Sequence, residues 1–173
     1  MLFYDYKSVT VKHYGGRRWT LDPNPVLEKS QKTHGTFYLF IAYNVASGRL
    51  HWMFQWGKSS VYICRFMRRL RKLYPSSTVL IALDQDSAHP KKSRVTKRFM
   101  HQLKLQWISL PKASPDDNPV ETMNSDIQLR ILDNSNDQFF WETQSRISRH
   151  LQAHNRRSNP TIRIGFMPDL NIS

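Results

Sequence analysis

Three carboxylates stand where they could hold divalent cations: Asp5, Asp84 and Glu121. Carboxylate oxygens suit Mg²⁺, which keeps several waters and leaves room for a phosphate. A pair of such ions can activate an attacking oxygen and stabilise a leaving one in an in-line phosphoryl transfer. Acids are scarce here, which makes these three conspicuous. The 173 residues carry 26 Lys+Arg against 13 Asp+Glu, a formal net charge of +13. That balance favours a polyanionic partner, nucleic acid ahead of an anionic membrane surface.

Each acid also has an ordinary use. Asp84 closes the apolar run Thr78 to Leu83, so it is either a rigid ligand at the end of a buried strand or a turn-capping residue. Asp86 competes with it as a ligand, and His89 can orient Asp84 or reach a phosphate. In Asn118-Pro119-Val120-Glu121, Asn118 is a good helix N-cap and Pro119 fits the first helical position. Glu121 then either completes a capping box or faces a metal site, and spacing alone leaves both open. Asp5 lies inside a strand between Tyr4 and Tyr6. Burying an acid there is costly unless it is paired or metal-bound.

The elements that must position these side chains follow from hydrophobic period. Leu2 to Val11 alternates as a strand and is expected at the centre of the sheet. Residues 13–32 read as loop. Thr36 to Val45 and Arg49 to Trp56 read as strands joined at Ser47-Gly48. On the latter, Trp52, Phe54 and Trp56 share a face and are expected in the core of an inner strand.

Ser59 to Tyr74 switches to helical spacing, with Ile63, Phe66, Met67, Leu70 and Leu73 as the apolar stripe. Thr78 to Leu83 is a strand covered on both faces. Lys91 to Leu103 is a helix, Leu105 to Leu110 a strand, Asn118 to about Leu132 a helix and Gln138 to Arg157 another. This order implies an α/β fold, a five-stranded mixed sheet with helices on both faces. Residues 1–135 are expected to form the catalytic domain. Residues 136–173 would be a C-terminal helix and irregular tail packed on it or trailing it.

One cysteine, Cys64, allows no disulfide within the chain. No basic stretch followed by an apolar run opens the sequence, and the longest uncharged segment, Thr36 to Gly48, is too short to span a bilayer. A soluble, intracellular protein without membrane partners is expected. His150 and His154 sit four residues apart on one helix face, but no acid accompanies them in a zinc pattern.

The segments around Asp84 and Glu121 together resemble the DDE transposases, in particular the mariner-type superfamily and its bacterial insertion-sequence relatives. The family places a His five residues after its second Asp, here Asp84 and His89. It follows with a Leu-Pro pair, here Leu110-Pro111, and a signature here reading Ser114-Pro115-Asp116-Asp117-Asn118-Pro119-Val120-Glu121. Asp5 matches the family's first Asp, and Arg18-Trp19 resembles its Arg/Thr-Trp. The resemblance covers roughly residues 1 to 132. Departures are Tyr6 after the first Asp, Gln85 and Asp86 after the second, Asp117 inside the signature, and Asn124 where Trp is common.

The resemblance implies an RNase H-like fold and two-metal DNA cleavage and strand transfer during transposition. Asp5, Asp84 and Glu121 would be the catalytic residues and would ligate two Mg²⁺ or Mn²⁺ ions, with Asp86, His89 and Asn118 as auxiliaries. Arg17, Arg18, Lys91, Lys92, Arg94, Lys97 and Arg98 are the expected DNA contacts, tracking phosphates rather than reading bases, and the basic stretches Arg65 to Lys72 and Arg146 to Arg157 are each either a further phosphate track or a solvated helix face. The partners implied are transposon ends, target DNA and further copies of the chain, in a nucleoid-associated bacterial setting. Family members carry a helix-turn-helix region upstream; here it is expected to be separately encoded or missing. Two other readings stay open: a remnant that only binds DNA, and an RNase H-like nuclease with another substrate.

Overall fold

The computed structural model describes residues 1–11, 34–83, 93–111, 118–133, 135 and 137–157. Strand β1 (Leu2–Val11) pairs antiparallel with β2 (Gly35–Asn44), which pairs antiparallel with β3 (Arg49–Gln55). On its other side β1 runs parallel to β4 (Val79–Leu83), and β4 parallel to β5 (Leu105–Ser109). The order is β3-β2-β1-β4-β5, so β1 is central as its aromatic alternation anticipates.

Period-two alternation sends β1 into two separate cores. Phe3, Val9 and Val11 face one, with Phe37, Leu39 and Ile41 of β2; Leu2 and Tyr4 face the other. Helix α1 (Ser60–Leu73) and helix α2 (Arg94–Gln102) cover the second face through Ile63, Phe66, Met67, Leu70 and Met100. Helix α3 (Pro119–Ile127), the π-helical turn Gln128–Leu132 and helix α4 (Phe140–Arg157) cover the first, through Val120, Met123, Ile127, Ile131, Ile147 and Leu151. Asp5 and Lys7 lie on that first face by alternation.

Local signals explain the helix starts. Asn118 caps α3 by accepting from the Val120 amide at 3.1 Å, with Pro119 in the first turn. Ser93 caps α2, accepting from the Thr96 amide at 3.2 Å. The Asp133 amide donates to the Gln128 carbonyl at 2.8 Å, closing the wider π turn before the chain leaves for α4. Arg146 then ties α4 to this turn, donating to the Ile131 carbonyl at 2.9 Å and to Asp137 at 3.0 Å.

Three expectations are corrected. β3 is an edge strand, not an inner one. Trp52 and Phe54 still pack on the core, but β3 ends at Gln55, and Trp56 beyond it is 63% exposed and lies edge-on to Phe140. Leu73 is the last residue of α1 and is exposed, lining an open cavity beside β3 rather than joining the core. Among the described residues, no helix is long and apolar enough to cross a membrane.

Candidate active site

Asp5 and Glu121 line one cavity of about 360 Å³, together with Tyr6, Lys7, Ser8 and Asn124. The wall is built from consecutive residues of β1 and one face of the first turns of α3. Glu121 and Asn124 are three residues apart and therefore neighbours on the helix surface. Asp5 and Lys7 are two apart and share a strand face.

Asp5 is buried, 8% exposed, and accepts a hydrogen bond from Asn124 Nδ2 at 2.8 Å. Asn124 is itself 5% exposed. Its amide nitrogen faces Asp5, which leaves Oδ1 buried without a hydrogen-bond partner among the described residues. A buried carbonyl oxygen in that condition is costly, by about 1–3 kcal/mol, unless a ligand satisfies it.

Of the two uses that spacing left open for Glu121, the structure excludes the capping box. The Glu121 amide donates to the Asn118 carbonyl at 2.9 Å as the helix begins, yet its carboxylate makes no hydrogen bond or ion pair among the described residues. It does not complete a capping box. It is exposed on the cavity wall. Asn118 is buried and spent on the cap, so its part is to start α3 rather than to enter the cavity.

Lys7 supplies the opposite charge. Burial pushes its ammonium below the usual lysine value, while Glu121, Asp133 and Asp5 act in that order to raise it. The cavity thus sets a half-buried cation against the two carboxylates that line it, with Asp133 acting from outside the lining. Neither Lys7 nor Asn124 is among the residues that the sequence marks for the site. The available signal is their spacing from Asp5 and Glu121.

Asp84, Asp86, His89, Arg17, Arg18, Lys91 and Lys92 lie outside the described residues. β4 ends at Leu83, the residue before Asp84, at the carboxyl end of a strand hydrogen-bonded to β1. Among the described residues, no group of three or more His, Cys, Asp or Glu side chains is placed to hold a metal. Arg94, Lys97 and Arg98 are exposed along α2. His150 and His154 do not converge: His150 pairs with Asp126 at 2.6 Å, and His154 meets the Gly48 carbonyl at 3.3 Å.

The fold has solved counterparts. The Mos1 transposase paired-end complex with left transposon end has a chain 15% identical to this one, with a TM-score of 0.65, covering 88% of this chain and 47% of that one. For the Mos1 strand transfer complex the values are 12%, 0.66, 92% and 48%. For the catalytic domain of Mos1 mariner transposase they are 10%, 0.59, 92% and 71%. At such identities the likeness establishes the architecture, the RNase H-like sheet expected from the sequence. The chain spans about half the length of the transposase chains in those two complexes. No curated protein matches it by sequence. The pattern that defines the DDE superfamily endonucleases runs through residues 1–155, from β1 into α4, and the chain belongs to that family.

Proposed function

We propose that this chain is a transposase catalytic domain that cuts DNA strands and joins a freed 3′-hydroxyl to target DNA, using two divalent cations, Mg²⁺ or Mn²⁺. The observation that carries the reading is the convergence of a buried Asp5 and an unbonded Glu121 on one cavity, 116 positions apart in sequence. A Mos1 mariner paired-end complex has been solved with Mn, and another Mos1 complex is named for strand transfer.

The residues present fit such ions. Carboxylate oxygens of Asp5 and Glu121 on one wall are donors of the kind hard divalent cations take. In this reading Asp5, Asp84 and Glu121 hold the metal, and Asn124 is a positioning residue that fixes the Asp5 side chain. When bound, the ions supply Lewis-acid activation of the attacking oxygen and charge stabilisation at the leaving oxygen. Lys7 offers an entering phosphate a positive charge from the β1 wall. Arg94, Lys97 and Arg98 extend a basic surface along α2 for the DNA backbone. Transposon ends and target DNA are the partners, with pairing of two ends by a homo-oligomer.

The test is nicking of supercoiled plasmid with Mg²⁺ or Mn²⁺ and with EDTA. Metal-dependent nicking is expected, abolished by Asp5→Asn, Asp84→Asn or Glu121→Gln while salt-sensitive DNA binding persists. Wild-type activity in any of the three would remove that residue from the site. A folded, DNA-binding wild type that never nicks would favour the remnant.

A further inference from the structure

A second cavity, of about 430 Å³, wraps the free edge of β3 on the side of the sheet away from β4 and β5. It gathers Arg49 from β3, Arg69 from α1 and Arg156 from α4, together with His51, Trp52 and Asn155. Among the described residues, no Asp or Glu lines it. We propose that this cavity is a phosphate-backbone site for duplex DNA, separate from the carboxylate cavity. The proposal takes its ligand class from the nucleic-acid reading above but does not depend on catalysis.

The arrangement is built rather than incidental. The helices carrying Arg69 and Arg156 lie on opposite faces of the sheet, and each lends an arginine to the one cavity. Two other arginines on these elements are used by the fold. Arg71 donates to the backbone carbonyls of Tyr74 and Ser77, and Arg146 is bonded to Asp137. Arg49, Arg69 and Arg156 are exposed and have no ion pair or hydrogen bond among the described residues. Three like charges brought together without an acid repel one another, so a bound polyanion would relieve a standing cost.

The floor closes the edge at Leu50. An unpaired edge strand ordinarily invites another strand. Here Asn155 occupies that place: the Leu50 amide donates to its Oδ1 at 2.8 Å, and its Nδ2 donates to the Leu50 carbonyl at 2.9 Å. What remains open is the arginine rim with the Trp52 ring beside it, a cationic wall with one aromatic face.

His51 gives the site a built-in reporter. Its Nε2 lies 2.6 Å from the Tyr74 hydroxyl, which accepts from Asn44 Nδ2 at 2.8 Å. Burial, then the charges of Arg69 and Arg49, hold the imidazole below its ordinary value. A phosphate between those guanidinium groups would offset their field. By register, Asp5 is opposite Ile41 and Ile41 opposite Trp52, with Arg49 three residues further along β3. The two cavities are therefore separated by about 14 Å, less than the roughly 34 Å of one duplex turn.

The experiment uses the full chain in EDTA with a 30-base-pair duplex of arbitrary sequence. The slope of log affinity against log salt should fall by about 2–3 in Arg49→Ala/Arg69→Ala/Arg156→Ala, at about 0.9 for each phosphate no longer neutralised. In the wild type, the NMR titration midpoint of the His51 ring should rise when duplex is saturating, a readout needing no variant. An unchanged slope in the folded triple variant overturns the proposal. So does a His51 midpoint that stays fixed under saturating duplex, or moves only with inorganic phosphate. Failure of metal-dependent nicking overturns the catalytic reading alone and leaves this site standing.

Discussion

Replacing Asn124 separates positioning from packing. In Asn124→Ala, Asp5 loses a buried, charge-assisted donor at 2.8 Å, a bond worth about 1.5–3 kcal/mol. The same change deletes the orphaned Oδ1, whose burial costs about 1–3 kcal/mol. The two terms nearly cancel, leaving about 0–2 kcal/mol of net destabilisation and, for a chain of this size, a Tm drop of about 0–8 °C. Stability alone therefore says little. Metal binding does not share the cancellation, because it depends on the Asp5 orientation that the lost donor fixes. Loss of a group that orients a metal-ligating side chain typically weakens metal affinity or activity by about 10–100-fold. The assay is Mn²⁺ binding by electron paramagnetic resonance without DNA, beside the Mn²⁺ dependence of plasmid nicking. Asn124→Leu, which refills the volume, should show the same weakened binding as the alanine variant. Wild-type Mn²⁺ affinity in both folded variants would refute the positioning role and reduce Asn124 to a packing residue.

Two further outcomes follow from the charges around the two cavities. Lys7→Met removes a cation facing Glu121, Asp133 and Asp5. A unit charge opposing a dication is worth about 1–2 kcal/mol even at solvent-like dielectric, so Mn²⁺ should bind the variant about 5–30-fold more tightly without DNA; unchanged or weaker binding would count against Lys7 sharing the cavity with the metal. His51 and His154 are both held below the ordinary histidine value of 6.5, chiefly by burial. Their folded forms bind protons less readily than the unfolded chain, so the stability they contribute is complete above about pH 6.5 and is lost as pH falls through their lowered values. Thermal melts at pH 7.5 and 5.5 should show a smaller acid-induced drop in His51→Gln/His154→Gln than in the wild type, and an identical drop would refute the assignment.

Much of the scaffold was legible because it is written in local period and capping chemistry. The alternation of β1, the apolar run of β4 and the Asn118-Pro119 start of α3 each state a conformation within a few residues. Lateral strand order is not written that way. Trp52, Phe54 and Trp56 alternate like core residues, yet a strand's own sequence does not say whether it lies at an edge, and β3 does. The Asn124–Asp5 hydrogen bond joins residues 119 positions apart, so only the docked α3 discloses it. Arg69 and Arg156 belong to basic stretches visible in the sequence, but their meeting with Arg49 at one cavity is disclosed only where three elements come together.

The strongest argument for Glu121 comes from what the other acids do. Six acids fall within the described residues: Asp5, Glu121, Asp126, Asp133, Asp137 and Glu142. Four serve the fold, and Asp5 is held by Asn124 on the same cavity wall as Glu121. Asp126 pairs with Arg130 and with His150, Asp133 accepts from Gln128, and Asp137 pairs with Arg146. Glu142 accepts from the Gln138 and Phe139 amides at the start of α4, and Asp5 accepts from Asn124. Glu121 alone has no partner among these residues, in a chain where cations outnumber acids two to one. Exposure beside so many arginines and lysines makes an unpaired carboxylate easy to neutralise, so its isolation on a cavity wall implies a use other than folding. Glu121→Gln should then leave the melting temperature near wild type while metal-dependent nicking disappears. A Glu121→Gln variant that melted several degrees lower would instead show that the carboxylate was stabilising the fold all along.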